Sequence, residues 1–270
     1  MDNRNSLIKL VKGGNNQMAK LIAIANQKGG VGKTTTAINL GAYIAMAGYR
    51  VLLVDIDPQG NATSGLGINR QKLKYCVYNL LVDDIEPQKI ITSTRVKNLH
   101  LLPSTIQLAG AEVELAAYQN RESVLKRGLQ SIENYYDYIF IDCPPSLGIL
   151  TLNALVACKS VLIPLQCEYY ALEGLSQLMD TIQLVRRRMN TTIKVEGIVF
   201  TMFDGRTNLS IQVVDEVKKH FKKEVYQTII PRNIRLSEAP SHGKPIMTYD
   251  SRSKGAQVYA ELAQEVIRRA

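Results

Sequence analysis

The sequence predicts an α/β fold, a doubly wound and mostly parallel β-sheet flanked by helices. Three observations lead there. Apolar runs such as Val51-Leu52-Leu53-Val54 and Tyr138-Ile139-Phe140-Ile141 are continuous rather than alternating, as expected of parallel strands covered on both faces. Segments with apolar residues at helical spacing separate them. The first apolar run, residues 21–25, leads into Gln27-Lys28-Gly29-Gly30-Val31-Gly32-Lys33-Thr34-Thr35 and then a helical pattern over 36–47 that Gly48 stops. Strand, glycine-rich loop and helix together are the context in which a phosphate-binding loop works.

That loop organises the chain. Its glycines let several backbone N–H groups turn toward one anion, and the helix N-terminus adds partial positive charge. Lys33 is placed to reach β- and γ-phosphates, and Thr34 to put its hydroxyl on Mg²⁺. The loop departs from G-x-x-x-x-G-K-[ST]: Gln27 occupies the first glycine position, and a second lysine, Lys28, follows it.

The remaining elements follow in order. Residues 1–17 are polar and interrupted by Gly13-Gly14-Asn15-Asn16, and are expected to form a flexible tail before one domain over 18–270, with Met18 a possible start. Residues 50–55 read as the second strand, ending in Asp55-Ile56-Asp57-Pro58. Two carboxylates there lie where ligands collect in open α/β sheets, able to hold Mg²⁺ through water or orient an attacking water; turn chemistry is the alternative. Residues 63–82 read as loop and helix, 98–102 as a short strand, and 106–118 and 122–134 as helices. The strand at 138–142 ends in Asp142 before Cys143-Pro144-Pro145, the usual place for a carboxylate on the Mg²⁺ hydration shell. Strands at 161–165, 195–201 and 225–230 alternate with helices from Gly174 to Arg186-Arg187-Arg188 and over 210–221, and a helix over 255–269 closes the chain.

Composition narrows the function. No apolar run approaches the ~20 residues of a membrane span, and no signal peptide is visible. Cys76, Cys143, Cys158 and Cys167 are scattered, which suits buried thiols in a reducing cytoplasm, although spacing leaves an iron–sulfur site shared between subunits open. The net charge of +9 favours a polyanionic partner, nucleic acid or acidic membrane. Residues 186–235 hold 11 Lys+Arg against 5 Asp+Glu, so a fifth of the chain carries +6 of that charge. The arginine triplet also suits the dipole of a helix C-terminus.

Q-K-G-G-V-G-K-T-T-T, D-I-D-P-Q-G-N-A-T-S-G-L-G, I-D-C-P-P-S-L, E-Y-Y-A-L-E-G-L and I-P-R-N-I-R-L-S-E-A-P-S-H-G-K-P together resemble the ParA/Soj partitioning ATPases, within the deviant-Walker group of P-loop NTPases that includes MinD. The resemblance runs from Met18 to the C-terminus. It implies ATP and Mg²⁺ as cofactors, bound by Lys28, Gly29, Gly30, Val31, Gly32, Lys33, Thr34 and Thr35, with Pro231 and Asn233 on the adenine. Thr34 would ligate Mg²⁺ directly, with Asp55 and Asp142 acting through water. Lys28 and Asp57 would be catalytic, Lys28 crossing to a partner's nucleotide and Asp57 positioning water. The resemblance further implies an ATP-dependent homodimer in the cytoplasm and on the nucleoid, non-specific binding of double-stranded DNA through Arg206 and Arg235, and slow hydrolysis stimulated by a ParB-type centromere-binding protein.

Three rival readings have their own signatures. A MinD-like membrane switch, for which no membrane contact is expected here, needs an amphipathic helix beyond the domain, whereas Val266-Ile267-Arg268-Arg269-Ala270 reads as part of the last structural helix. An electron carrier needs bridging cysteines. A DNA-coating adaptor would hold its nucleotide without hydrolysing it.

Overall fold

The computed structural model describes residues 18–269, so the tail expected over 1–17 lies outside it. Seven strands form one sheet in the order β3-β4-β2-β5-β1-β6-β7, parallel except for β3 at the edge. The central strands are β1 (Lys20–Ile24), β2 (Val51–Asp55), β5 (Tyr138–Asp142), β6 (Ser160–Gln166) and β7 (Lys194–Thr201), and the edge pair is β3 (Thr92–Ser93) with β4 (Leu99–Leu102). β2 and β5 are buried along their whole length, which is why their sequences are apolar without alternation.

Side chains alternate across the sheet and build a core on each face. On one face Ile22, Ile24, Leu53 and Phe140 pack against α1 (Lys33–Met46) and α12 (Lys254–Arg268). Three short helices complete that side: α2 (Asn61–Gly65), α10 (Ile234–Glu238) and α11 (Ile246–Tyr249). On the other face Ala23, Leu52, Ile139 and Ile163 pack under α3 (Val77–Leu81), α4 (Pro87–Ile90), α5 (Leu108–Glu114), α6 (Val124–Gln130), α7 (Ile149–Ala157), α8 (Ala171–Arg188) and α9 (Asn208–His220). The apolar stripe of α12 (Val258, Tyr259, Leu262, Val266) is spent in the first of these cores and is not free to lie on a bilayer.

Three departures from the sequence reading have physical causes. The strand expected over 225–230 is absent: only the isolated parallel bridges Ile198 to Val225 and Phe203 to Pro231 form beside β7. The Glu265 carboxylate of α12 takes the N–H groups of Gln227 and Thr228 at 2.9 and 3.1 Å, so the segment bows off the sheet edge between the two bridges. Helix α7 has no counterpart in the reading because it is buried nearly all round and so has no amphipathic period. The segments 106–118 and 122–134 hold only seven α-helical residues each; one 3₁₀ turn follows the first helix, and one lies on either side of the second.

A candidate nucleotide and magnesium site

Because the order reverses about β1, the strand ends that carry chemistry are neighbours. Ile24 of β1 lies in register with Asp142 of β5, and Asp142 with Asp55 of β2. The glycine-rich loop leaves β1 at this switch point, where open α/β sheets collect ligands. Gly30 and Gly32 hold φ at 76° and 86°, left-handed values that favour glycine, and α1 begins at Lys33 rather than at residue 36. Lys33, Thr34 and Thr35 therefore form the first turn of a helix, with Lys33 buried and the two threonines half-buried. Among the described residues, no acceptor takes the N–H groups of Gly29, Gly30, Val31 or Gly32. An unsatisfied arc of amides continuous with a helix N-terminus is an anion cradle.

The fold braces this loop from behind. Asn26 donates to Pro164 O at 2.7 Å while its Oδ1 accepts Lys28 N–H at 3.0 Å. Thr201, at the end of β7, donates to Val31 O at 2.8 Å. The two lysines have different places. Lys33 is 7% exposed and donates from Nζ to Lys28 O at 3.0 Å. Burial holds its ammonium below the ordinary lysine value, against the pull of Asp142, Cys143 and Asp57. Lys28 points outward, and its Nζ is paired with Glu168, whose other oxygen accepts from Gln166. The sequence reading missed Glu168, which sits in the E-Y-Y string with no spacing that would mark it.

Three carboxylates close the site. Asp55 is fully buried, with Oδ2 accepting Thr63 N–H at 2.8 Å and the Thr63 hydroxyl at 2.7 Å, and Oδ1 accepting Asp57 N–H at 3.2 Å. Burial pushes its carboxyl up to about 6 despite those bonds. Its oxygens thus hold α2 and the Asp57 turn onto the end of β2. Asp142 differs: it too is fully buried, yet neither Oδ1 nor Oδ2 has a hydrogen-bond partner among the described residues. Burial and the neighbouring Asp55 raise its pKa well above the usual range, with Thr34 beside it offsetting part of that rise. An orphaned buried carboxylate next to a threonine hydroxyl fits a hard cation such as Mg²⁺, which would supply the missing positive charge. Asp57 lies at the mouth, 7% exposed; its Oδ1 accepts Gln59 N–H at 2.9 Å, and its carbonyl accepts the buried Ser104 hydroxyl at 2.7 Å.

Beside the loop lies an apolar cavity of about 170 Å³ walled by Met202, Ile230, Pro231, Asn233, Leu236 and Tyr259. Asn233 lines this cavity, and its buried Oδ1 has no hydrogen-bond partner among the described residues, an acceptor left for a ligand or a small shift of the side chain to use. Pro231 and Asn233 are thus brought together with the loop. Arg206 and Arg235 are not in this pocket but on the exposed rim: Arg206 forms a two-point ion pair with Asp204, and Arg235 pairs with Glu238 and Asp250. All four cysteines are free and buried, and burial pushes the Cys158 and Cys167 thiols up to about 12.

A phosphate cradle at the switch point of a doubly wound sheet, with an acid on the adjoining strand end, defines a P-loop NTPase. The family model described as an AAA domain matches residues 19–195. The sporulation initiation inhibitor protein Soj of Bacillus subtilis is 64% identical over 249 residues, 92% of this chain and 98% of the relative. The chromosome partitioning protein ParA of Myxococcus xanthus is 56% identical, covering 93% of this chain and 89% of the relative. Among solved structures, a cobyrinic acid a,c-diamide synthase from Mycobacterium smegmatis with bound ADP and magnesium superposes with a TM-score of 0.82 at 41% identity, over 93% of this chain and 95% of that one. This chain belongs to the Soj/ParA family of chromosome-partitioning ATPases.

Proposed function

We propose that this chain is an ATP-driven switch that closes into a dimer around two nucleotides, holds DNA while closed, and lets go on hydrolysis. The observation that carries the reading is the division of labour between the two lysines. Lys33 is buried behind the cradle, where it would neutralise phosphates of its own nucleotide. Lys28 faces away on the rim, held by Glu168, and would be free to reach a nucleotide bound by another subunit. A cation delivered in trans to developing phosphate charge works as an arginine finger does.

In this reading Thr34 ligates Mg²⁺, Asp142 orients its water shell, and Asp55 supports both by fixing the strand end. Held by these residues, Mg²⁺ would supply electrophilic stabilisation of the triphosphate's negative charge. The arc from Gly29 to Thr35 holds the phosphates, Pro231 and Asn233 hold the base, and Asp57 aligns the attacking water. Arg206 and Arg235 keep part of their five N–H donors outside their ion pairs and meet DNA phosphates without reading sequence. Closing two protomers doubles those contacts, so retention rises steeply with dimerisation and falls with salt. A ParB-type protein at centromere-like sites is the partner that would speed a slow basal hydrolysis.

Sedimentation with a non-hydrolysable ATP analogue and Mg²⁺ tests the core of the proposal: a dimer is expected, and a monomer at saturating analogue would remove it. Lys33→Ala should weaken ATP binding by roughly 100-fold, since a charge-assisted phosphate contact and a buried cation both go. A fluorescent-ATP titration reads this, and unaltered affinity would contradict the role given to Lys33. Arg235→Glu should lower DNA retention at least ~10-fold while dimerisation with ATP persists, because the side chain is on the rim and outside the nucleotide pocket. Unchanged gel shifts would take Arg235 out of the DNA surface.

A further inference from the structure

The basic surplus over 186–235 divides between two ends of the molecule, and the proposed function uses only one. Arg206 and Arg235 follow the C-terminal ends of β7 and of the segment beside it, the end that holds the nucleotide site. At the opposite end α8 finishes on Arg186, Arg187 and Arg188, and β7 starts at Lys194, all of them exposed. Helix α9 packs on the same face of the sheet and finishes there too, with Lys218 and Lys219 in its last turn and Lys222 and Lys223 just past it. These cations are also exposed. β7 is eight residues long, so the two ends are roughly 23 Å apart at ~3.3 Å per residue.

Helix dipoles do not account for this cluster. A dipole acts on the last turn alone, whereas Lys194, Lys222 and Lys223 lie beyond the helix ends. Over residues 186–194 and 215–224 there are eight Lys+Arg against Asp215, Glu216 and Glu224. Among the described residues only Lys219 of these eight cations has an ion-pair partner, Glu216. The exposed large apolar side chains near it are Leu184 and Met189, with Met18 beside Asn190 and Thr192, and none is aromatic, which is too little for the core of a protein interface or for burial in a bilayer. Unpaired cations spread over two adjacent helix ends and a strand end, with little apolar surface, match the polar and strongly positive character of surfaces that grip a nucleic-acid backbone.

We propose that this distal end is a second binding surface for double-stranded DNA, formed without nucleotide, so that a closed dimer can bridge separate duplexes. The inference rests on the reading of Arg206 and Arg235 as the first DNA surface. A dimer closed across its nucleotide faces turns its two distal ends outward, where they can engage other duplexes.

The test uses the full chain with Mg²⁺ and a non-hydrolysable ATP analogue, one duplex fixed to beads and a second, fluorescent duplex in solution. Wild type should carry the second duplex to the beads. The variant K218E/K219E/K222E/K223E, altered only at exposed positions, should still bind a single duplex within about two-fold but lose bridging by at least ~10-fold. Without nucleotide, wild type should keep a weak, salt-sensitive association whose log–log salt slope falls by about 4 in the variant. Failure of wild type to hold even one duplex would overturn the proposed function itself. Single-duplex binding without bridging would overturn only the distal surface. Loss of single-duplex binding in step with bridging would merge the cluster with the first surface and so overturn it, as would capture of phosphatidylglycerol vesicles in place of the second duplex.

Discussion

Replacing Lys28 with alanine is expected to lower ATP turnover by 10³-fold or more, on the order seen when a trans-acting cation is lost, and to abolish the ATP-dependent dimer. Monomer affinity for ATP should stay within about two-fold, and that contrast makes the experiment decisive. The separation follows from which atoms of Lys28 serve its own loop. Its N–H donates to Asn26 and its carbonyl accepts Lys33 Nζ, and alanine keeps both. Only the side chain is lost, and in the structure it reaches away from the cradle to Glu168. An exposed pair of this kind contributes little to stability, so the variant should fold normally. Phosphate release and sedimentation velocity with a non-hydrolysable analogue measure the two effects. A variant that dimerises like wild type would place the lysine's work within its own subunit.

The parts of the site that were legible in the sequence are those whose chemistry is local. The glycine-rich loop announces itself because positive φ at Gly30 and Gly32 restricts the residue type, and because strand and helix flank it. Asp142 is visible because an acid closing a continuous apolar run must sit at the end of a buried strand, and β5 has the expected bounds. Other features depend on distant residues and leave no local trace. Glu168 matters through Lys28, 140 positions earlier. Ser104 reaches the Asp57 carbonyl only because β4 and β2 are neighbours. The segment 225–230 has a strand's composition, but Glu265, some forty residues on, claims its donors. Asp55 and Asp142 look alike on paper as acids ending apolar strands. Burial with Thr63 in one case, and without a hydrogen-bond partner among the described residues in the other, gives them different work.

Asp57→Ala should lower turnover as Lys28→Ala does, by roughly 10²- to 10⁴-fold, but act on the dimer in the opposite sense: the ATP-bound dimer accumulates instead of disappearing. The turn survives the substitution, because its backbone is held independently of the carboxylate. Asp57 N–H donates to Asp55 Oδ1, and the Asp57 carbonyl accepts from Ser104 and from Gly60 N–H at 2.9 Å. What alanine removes is the Gln59 N–H acceptor and the second carboxylate oxygen, which has no partner among the described residues and lies at the mouth of the site. Asp57→Asn separates these two losses, since an amide oxygen can still accept from Gln59 while the charge is gone. If the carboxylate aligns water, Asn and Ala should be equally slow and equally dimeric, and DNA retention should outlast the ATP supply in both. If the side chain only shapes the turn, Asn should recover most of the turnover. Light scattering after gel filtration with ATP and Mg²⁺ distinguishes these outcomes, and a monomeric Asp57→Ala protein under saturating ATP would show that the residue is needed to close the dimer rather than to open it.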